Sequence, residues 1–576
     1  MKLVEALEQC RRPLPETTPE LRIFLACGFT PLHLTTFLTA AIRVSQPEIR
    51  AVVETGLFGD LIGNLDRAGL SSAGFAVVVI EWGDLDARLA IRTLGGWKPS
   101  ALPGIVDSAT EACARLERTL DELSRRMPVV LSMPTLPLPP LFPTRPAQAG
   151  PFELKLRQAV ASLAASLSEC AGIRIANAQL LSEASPEVGR YDITSDVATG
   201  FPYTLRHASA MGDVLAGLVH YPQPKKGLIT DLDETLWAGI VGEDGVDQIS
   251  WSLDRGHTHG LYQQFVASLA GAGVLVGVAS KNDPAVVTRA FERSDLLLTR
   301  DDIFPFETGW ARKSESVERV LNVWNVGAEA VVFIDDSPME VAEVKAAFPE
   351  MECLVFPAKD YAAIWNLLRR LRDVFGKPLL TDEDTIRLES LRASGARSDA
   401  AERISADDFL RASEACVVFE PIPPEGDARA FELVNKTNQF NLNGRRFNEA
   451  EWKNILCHPA AVPLCVSYKD KYGPLGKIAV ILGRRLGHKF QVDIFVLSCR
   501  AFSRRIEHQC LKYLFEALAV EMIEFDYKAT PKNGPLQQFL TEVFGRPPAS
   551  PATILRGEFM SRVPELFHHV EGTLYV

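Results

Sequence analysis

The sequence predicts a multidomain α/β protein whose C-terminal part is an α+β domain. Three observations carry that reading. The chain has 576 residues, room for several domains at about 100–200 residues each. Over its first two thirds, short Val- and Ile-rich runs alternate with longer helical ones, as in parallel sheets with crossover helices. Beyond about residue 415, strands follow one another with few helices between them, which favours antiparallel pairing.

The elements follow in order. In residues 1–222, LRIFLAC, FAVVVIEW, PVVLSMP and IRIANA read as strands, and EACARLERTLDELSRRM and ELKLRQAVASLAASLSECA as helices. The proline-rich stretch from Pro134 to Pro151 is a stiff loop. In residues 223–377, GLITDLD, VLVGVAS, VVFIDD and CLVFP read as strands. GLYQQFVASLAGAG, AVVTRAFERS, KSESVERVLNVW and MEVAEVKAAF are the helices between them. This is a second doubly wound domain, whose strands end in polar residues where such sheets bind ligands. Residues 378–414 form a charged connector with helical spacing of its apolar residues. In residues 415–576, LCVSYKD, KIAVILG, KFQVDIFVLSC and MIEFDYK are strands, and SRRIEHQCLKYLFEALAV and LQQFLTEVF are helices.

Composition narrows the function. Hydrophobic residues at 47% and charged residues at 23% exclude a disordered or fibrous chain. A net charge of −12 excludes a nucleic-acid binder held by its overall field. No apolar run reaches membrane-spanning length, and the first twenty residues carry charges where a signal peptide needs apolar ones. The ten cysteines show no CxxC pair or metal-ligand rhythm. The expectation is a soluble cytoplasmic protein with reduced thiols and no nucleic-acid or membrane partner. Charge is nevertheless uneven. From Phe431 to the end, 19 Lys+Arg face 14 Asp+Glu, so a net +5 tail follows a body of −17. Such a tail suits an acidic partner or a phosphate-bearing ligand, and it equally suits a solvated surface.

One constellation carries chemistry. Asp231 and Asp233 stand two apart at the end of the apolar run GLIT, so their side chains share a direction. One carboxylate can attack phosphorus and the other can move the proton. Further on, VLVGVAS ends in Ser280, with Asn282 at a helix start, and a hydroxyl there can hold a phosphoryl oxygen. Lys313 opens a helix and can neutralise the transferring group. VVFIDD ends in Asp335 and Asp336, hard oxygen ligands suited to Mg²⁺.

These residues resemble the four motifs of the haloacid dehalogenase-like (HAD) phosphotransferase superfamily. The resemblance implies Asp231 as nucleophile, Asp233 as general acid/base, Ser280 and Lys313 as catalytic partners, and Thr235 and Asn282 at the phosphate. It implies Mg²⁺ held by Asp231, the backbone carbonyl of Asp233, and Asp336, with Asp335 beside them. Ser280 lies only 44 residues after Leu236, which leaves no room for a cap domain between them. Capless members act on large substrates or borrow a lid.

A narrower resemblance covers roughly residues 226–545. DLDETLWAGIVGEDG, VASKND, WARK, FIDDSP, NKTNQFNLNGRRF, YKDKYGPLG, LSCRAFSRRIE and ATPKNGP are similar to motifs of the FkbH-like glyceryl transferase/phosphatases of polyketide biosynthesis. That family implies a donor of the 1,3-bisphosphoglycerate type, a small phosphorylated three-carbon acid. It loses phosphate, and its glyceryl group becomes a thioester on the phosphopantetheine arm of an acyl carrier protein. The C-terminal block resembles a GCN5-related acetyltransferase fold and would bind acyl group and carrier. The N-terminal block resembles an SGNH-hydrolase-like domain without its nucleophile motif, since Ala26-Cys27-Gly28 stands after the first strand. It is expected to be non-catalytic, with Asp84, Asp192, Asp196 and His207 as its remaining polar candidates.

Cys499 is the thiol expected to carry a thioester, with Arg500, Arg504 and Arg505 available to lower its pKa. Arg500 and Arg505 are also the candidate phosphate contacts. The acetyltransferase loop pattern R-x-x-G-x-G is broken here by Ser503 and Arg505. A capless phosphatase acting on a phosphoprotein or another small phosphorylated acid, without acyl transfer, is the alternative.

Overall fold

The computed structural model describes residues 1–170, 172–220, 223–377, 406–471, 473–498, 501–502, 504–548 and 551–572. It is a multidomain α/β structure built on three sheets. The chain forms two compact units, Met1–Pro222 with Asn448–Asn454, and Gln223–Phe447 with Ile455–Val576. Most of the expected connector, residues 378–405, lies outside the described residues. Among the described residues no helix is long and apolar enough to cross a membrane.

In the first unit the strands are β1 (Glu20–Cys27), β2 (Arg50–Thr55), β3 (Phe75–Val79), β4 (Val129–Ser132) and β5 (Ile173–Ile175). They pair in parallel in the order β2-β1-β3-β4-β5. Strand alternation divides the apolar residues between two faces. Phe24, Ala26, Ala76 and Val78 pack towards helices Leu102–Ser124 and Pro151–Ser168. Ile23, Leu25, Cys27, Val77 and Val79 pack towards helices Leu32–Ser45 and Leu205–Val219. A sheet covered on both faces explains why these strands read as unbroken apolar runs.

The second unit holds two sheets. The first comprises β6 (Gly227–Thr230), β7 (Leu275–Ser280), β8 (Ile303–Thr308), β9 (Val331–Asp335) and β10 (Glu352–Val355), all parallel, in the order β10-β9-β6-β7-β8. The chain runs from β6 outward to β8, then crosses back to β9, so the topology switches at β6. Ligands bind at such a point, beyond the carboxyl ends of the strands. Two strand glycines make room for Trp324. A Cβ at Gly227 or Gly277 would lie 2.4 or 2.8 Å from its ring.

The other sheet is mixed. Its strands are β11 (Cys416–Pro421), β12 (Ala461–Asp470), β13 (Gly473–Leu486), β14 (Lys489–Leu497), β15 (Met522–Phe525), β16 (Ala552–Leu555) and β17 (His569–Gly572), in the order β16-β15-β14-β13-β12-β11-β17. Antiparallel pairing dominates, but β14–β15 and β11–β17 are parallel. β14 pairs with β15 only over Lys489–Val492 and then continues to Leu497 paired with β13 on its other edge.

The chain itself fills that splay. Leu442 N–H donates to Phe495 (3.0 Å) and Leu497 N–H to the Phe440 carbonyl (3.0 Å), while Lys528 N–H donates to Leu442 (3.1 Å). The Asn443 amide donates to the carbonyls of Asp493 (3.0 Å) and Asp526 (3.2 Å), one on each side. Strands β2, β8, β11, β16 and β17 were not anticipated. β2, β8, β16 and β17 lie at sheet edges, and β8 carries Pro305, which weakens its strand signature.

Candidate active site

The site grows from the end of β6. GLIT is fully buried between β7 and β9, and the next residue, Asp231, keeps the ladder by donating its N–H to Ile334 (2.9 Å). The chain then turns sharply. Glu234 takes a left-handed conformation (φ 53°), and its carboxylate accepts the Gly239 N–H at 2.7 Å. Between Leu236 and Ser280 the chain holds a short turn of helix, Val241–Asp244, the helix His257–Gly271 and β7. A two-way bridge between Ala238 and Ser250 closes the first of these loops.

Four sequence-predicted residues converge on Asp231. The Lys313 ammonium, 1% exposed, lies 2.7 Å from Asp231 Oδ1, 2.9 Å from Asp335 Oδ2 and 3.1 Å from Glu340 Oε2, and donates to the Ala279 carbonyl at 2.9 Å. Asp335 and Asp336 complete a carboxylate cluster with Asp231, their ligand atoms all within 4.8 Å of one another. Ser280, buried at the tip of β7, stands beside Asp231 and favours its charged form. Asn282 donates both to Ser280 Oγ (3.1 Å) and to Asp233 Oδ2 (3.0 Å).

Asp233 is held by three donors, since its Oδ1 also accepts from Trp237 Nε1 (2.8 Å) and Val241 N–H (3.0 Å). Its side chain therefore stands outside the carboxylate cluster. Thr235, expected at the phosphate, lies against Asp336 of the cluster. It is fully buried, and its hydroxyl accepts the Asp336 N–H at 2.9 Å, so it positions Asp336.

Electrostatics follow from burial. Asp335 is pushed up to about 7 by desolvation, with the charge of Asp231 adding to it. Asp336 is raised by the same two causes. Desolvation also raises Asp231, against the pull of Lys313. Burial works against the charge on Lys313, but Asp231 and Asp335 outweigh it and hold the ammonium protonated. Three mutually repelling carboxylates, two of them paired with one lysine, form an all-oxygen, excess-negative donor set, which fits a hard divalent cation such as Mg²⁺.

Sequence reasoning missed Glu340 and Lys281. Glu340 Oε1 lies 2.8 Å from Lys281 Nζ, while its Oε2 contacts Lys313. The signal was their adjacency to motif residues, Lys281 after Ser280 and Glu340 four beyond Asp336.

Cys499 and Arg500, the expected thiol and phosphate contact, lie outside the described residues, as does Ser503. Arg505, also expected at a phosphate, is instead committed to Asp407 (2.5 Å) and the Glu565 carbonyl (2.9 Å).

In the first unit the polar strand tips close on themselves. His207 meets the hydroxyls of Thr135 (2.9 Å) and Ser185 (3.1 Å), Asp192 caps the helix Ile193–Thr199, and Asp196 accepts from Tyr191. Burial pushes the Cys27 thiol up to about 12 and His207 down to about 3. No nucleophile–histidine–carboxylate arrangement is assembled among these residues. Glu81, not anticipated, is buried and accepts from Thr135, Leu136 and Tyr203.

No family model matches the sequence, and no curated protein matches it. Among solved structures, the chain is similar to the N-terminal part of the protein BF1531 from Bacteroides fragilis, which contains a phosphatase domain and was solved complexed with Mg. Identity is 19%, the match covers 66% of this chain and 100% of that one, and the TM-score is 0.50. At this identity the likeness shows a shared fold. A salicylyl-acyltransferase, SsfX3, from a tetracycline biosynthetic pathway is 13% identical over 37% of this chain and 58% of its own, with a TM-score of 0.21, too low to bear on the fold.

Proposed function

We propose that this chain is a Mg²⁺-dependent phosphatase of the HAD type that acts on a small phosphorylated acid through an aspartyl-phosphate intermediate. The observation that carries the reading is the buried Lys313 ammonium, 2.7 Å from Asp231 and 2.9 Å from Asp335, with Asp336 completing the cluster. Asp231 attacks phosphorus, forming the P–O bond to its carboxylate as the bond to the leaving oxygen breaks. That oxygen takes its proton from Asp233. In the second half-reaction Asp233 accepts a proton from water, the resulting hydroxide attacks phosphorus, and the Asp231 carboxylate is released with inorganic phosphate. Lys313 and Ser280 orient the nucleophile and offset charge on the phosphoryl oxygens. Asp231, Asp336 and the Asp233 carbonyl would hold Mg²⁺, whose chemistry here is charge neutralisation of the phosphoryl group. The likeness to a phosphatase domain complexed with Mg supports this assignment.

The resemblance of the C-terminal motifs to FkbH-like proteins extends the reading to loading of a glyceryl group onto an acyl carrier protein. A specific observation favours the narrower alternative, phosphatase without acyl transfer. The splay between β14 and β15 has its backbone groups already bonded to Phe440–Asn443, and Arg505 is engaged elsewhere. Phosphate release from 3-phosphoglycerate, with and without Mg²⁺, in the wild type and Asp231→Asn, tests the phosphatase. Mass spectrometry of an acyl carrier protein after incubation with phosphorylated three-carbon acids tests the transfer.

A further inference from the structure

Lys281 stands at the tip of β7 between two residues already in the site, Ser280 and Asn282. Its ammonium reaches Glu340 Oε1 at 2.8 Å. Glu340 belongs to the helix Pro338–Ala347, which follows β9. In the sheet β6 lies between β7 and β9, two strand spacings that together span about 10 Å. The Lys281–Glu340 pair therefore bridges the tip of β6, where Asp231 sits. Glu340 shares its other oxygen with Lys313 at 3.1 Å, so a single carboxylate aligns two ammonium groups. They differ in access. Lys313 is 1% exposed and fully used by protein partners, whereas the Lys281 side chain is 37% exposed. An ammonium has three N–H donors, and Glu340 is the partner of Lys281 among the described residues.

Glu340 is held in place by the buried Lys313, but the partly exposed Lys281 adds little to stability by pairing with it, so a purely structural account leaves the placement of Lys281 unexplained. Lys313 already serves the reacting phosphoryl group. A second, solvent-facing ammonium fixed one carboxylate away has donors to spare for a different anionic group of the same substrate.

Resting on the phosphatase reading, we propose that Lys281 is a specificity-determining residue. It binds a second anionic group of the substrate, a carboxylate or a second phosphate, near the reacting phosphoryl group, and Glu340 is the positioning residue that aims it.

The experiment compares kcat/KM of the wild-type protein, Lys281→Met and Lys281→Arg for three substrates on nearly the same skeleton. Glycerol 3-phosphate has no second anion, 3-phosphoglycerate adds a carboxylate, and 2,3-bisphosphoglycerate adds a second phosphate as well. Lys281→Met is expected to lose at least tenfold more on one or both of the latter two than on glycerol 3-phosphate, mostly in KM. Lys281→Arg should recover most of that selectivity. The substrate showing the larger loss identifies the anion. An equal loss on all three would mean that Lys281 acts only through Glu340 and Lys313, and no loss would make it a surface residue; either outcome overturns the proposal. Wild-type protein that releases phosphate from none of the three, with Mg²⁺ present, would overturn the phosphatase reading itself, a result distinct from lost selectivity.

Discussion

Lys313 does two jobs that separate under mutation. It lies between carboxylates that burial would otherwise leave unpaired, so it contributes to the fold as well as to the chemistry. Lys313→Met preserves length and packing but strands Asp231 and Asp335. Breaking such a pair costs about 3–5 kcal/mol. The expected result is a lower melting temperature for the variant, partly restored by millimolar Mg²⁺, and restored more than Mg²⁺ stabilises the wild type. A variant as stable as the parent in metal-free buffer would remove Lys313 from the centre of the cluster. Asp231→Asn makes the complementary test, because the amide keeps the shape and lowers the cluster's negative charge. Phosphate release should fall a thousandfold or more, about 4 kcal/mol of barrier, while the protein stays folded. Near wild-type release would sink the nucleophile assignment. At this scale the sequence was informative where chemistry dictates residue type, as with Asp231, Ser280, Lys313, Asp335 and Asp336. It was less so for Thr235, whose hydroxyl serves Asp336 instead, because spacing along a chain does not say which way a side chain turns after a left-handed residue such as Glu234.

The elements most plainly legible are those buried on both faces. GLIT, FAVVV and VVFID read as strands because a covered parallel sheet leaves them nothing polar to show. Edge strands such as β2 and β17 carry mixed patterns, β17 being exposed along its whole length, and they escape a periodicity argument. The NQFNLN segment could not be placed from sequence at all. Its function in the fold depends on a gap between two strands far along the chain, which Leu442 closes from both sides through its backbone and Asn443 through its side chain. Asn443→Ala removes the donor shared by the Asp493 and Asp526 carbonyls. The expected cost is about 1–3 kcal/mol, towards the lower end because the side chain is only partly buried. Amide exchange should quicken at Leu442 and Leu497, whose N–H groups bond across that gap. Unchanged exchange there would show that the backbone pairing alone holds the segment.

At the scale of the whole molecule, the first unit gathers polar residues into a largely buried hydrogen-bonded network, and that has a consequence for pH. Asp84 is buried. Its Oδ2 accepts the Glu81 N–H at 2.8 Å, and its Oδ1 lies 1.7 Å from where a Cβ on Gly28 would stand, so only glycine fits opposite it. Desolvation pushes its carboxyl up to about 7, and the neighbouring Glu81 charge adds to that. Glu81 is itself raised by burial. Because the folded value lies above the ordinary carboxylate value near 3.8, the native state keeps a proton that the unfolded chain releases. Between about pH 4 and 7 the native state therefore binds more protons, and stability declines as pH rises. Below that window both states are protonated and the group is neutral to the balance, and above it the whole cost of a buried charge applies. Asp84's share is on the order of a few kcal/mol. Asp84→Asn removes the titrating group while keeping an oxygen for the Glu81 N–H. The expected result is a flatter dependence of stability on pH, with the variant gaining on the wild type as pH climbs from 4.5 to 7.5. The measurement is the protection factor of β1 and β3 amides in the full chain at both pH values, with intrinsic exchange corrected for pH. Equal slopes for the two proteins would mean that Asp84 is ionised throughout the range, and that the network around Gly28 tolerates a buried charge.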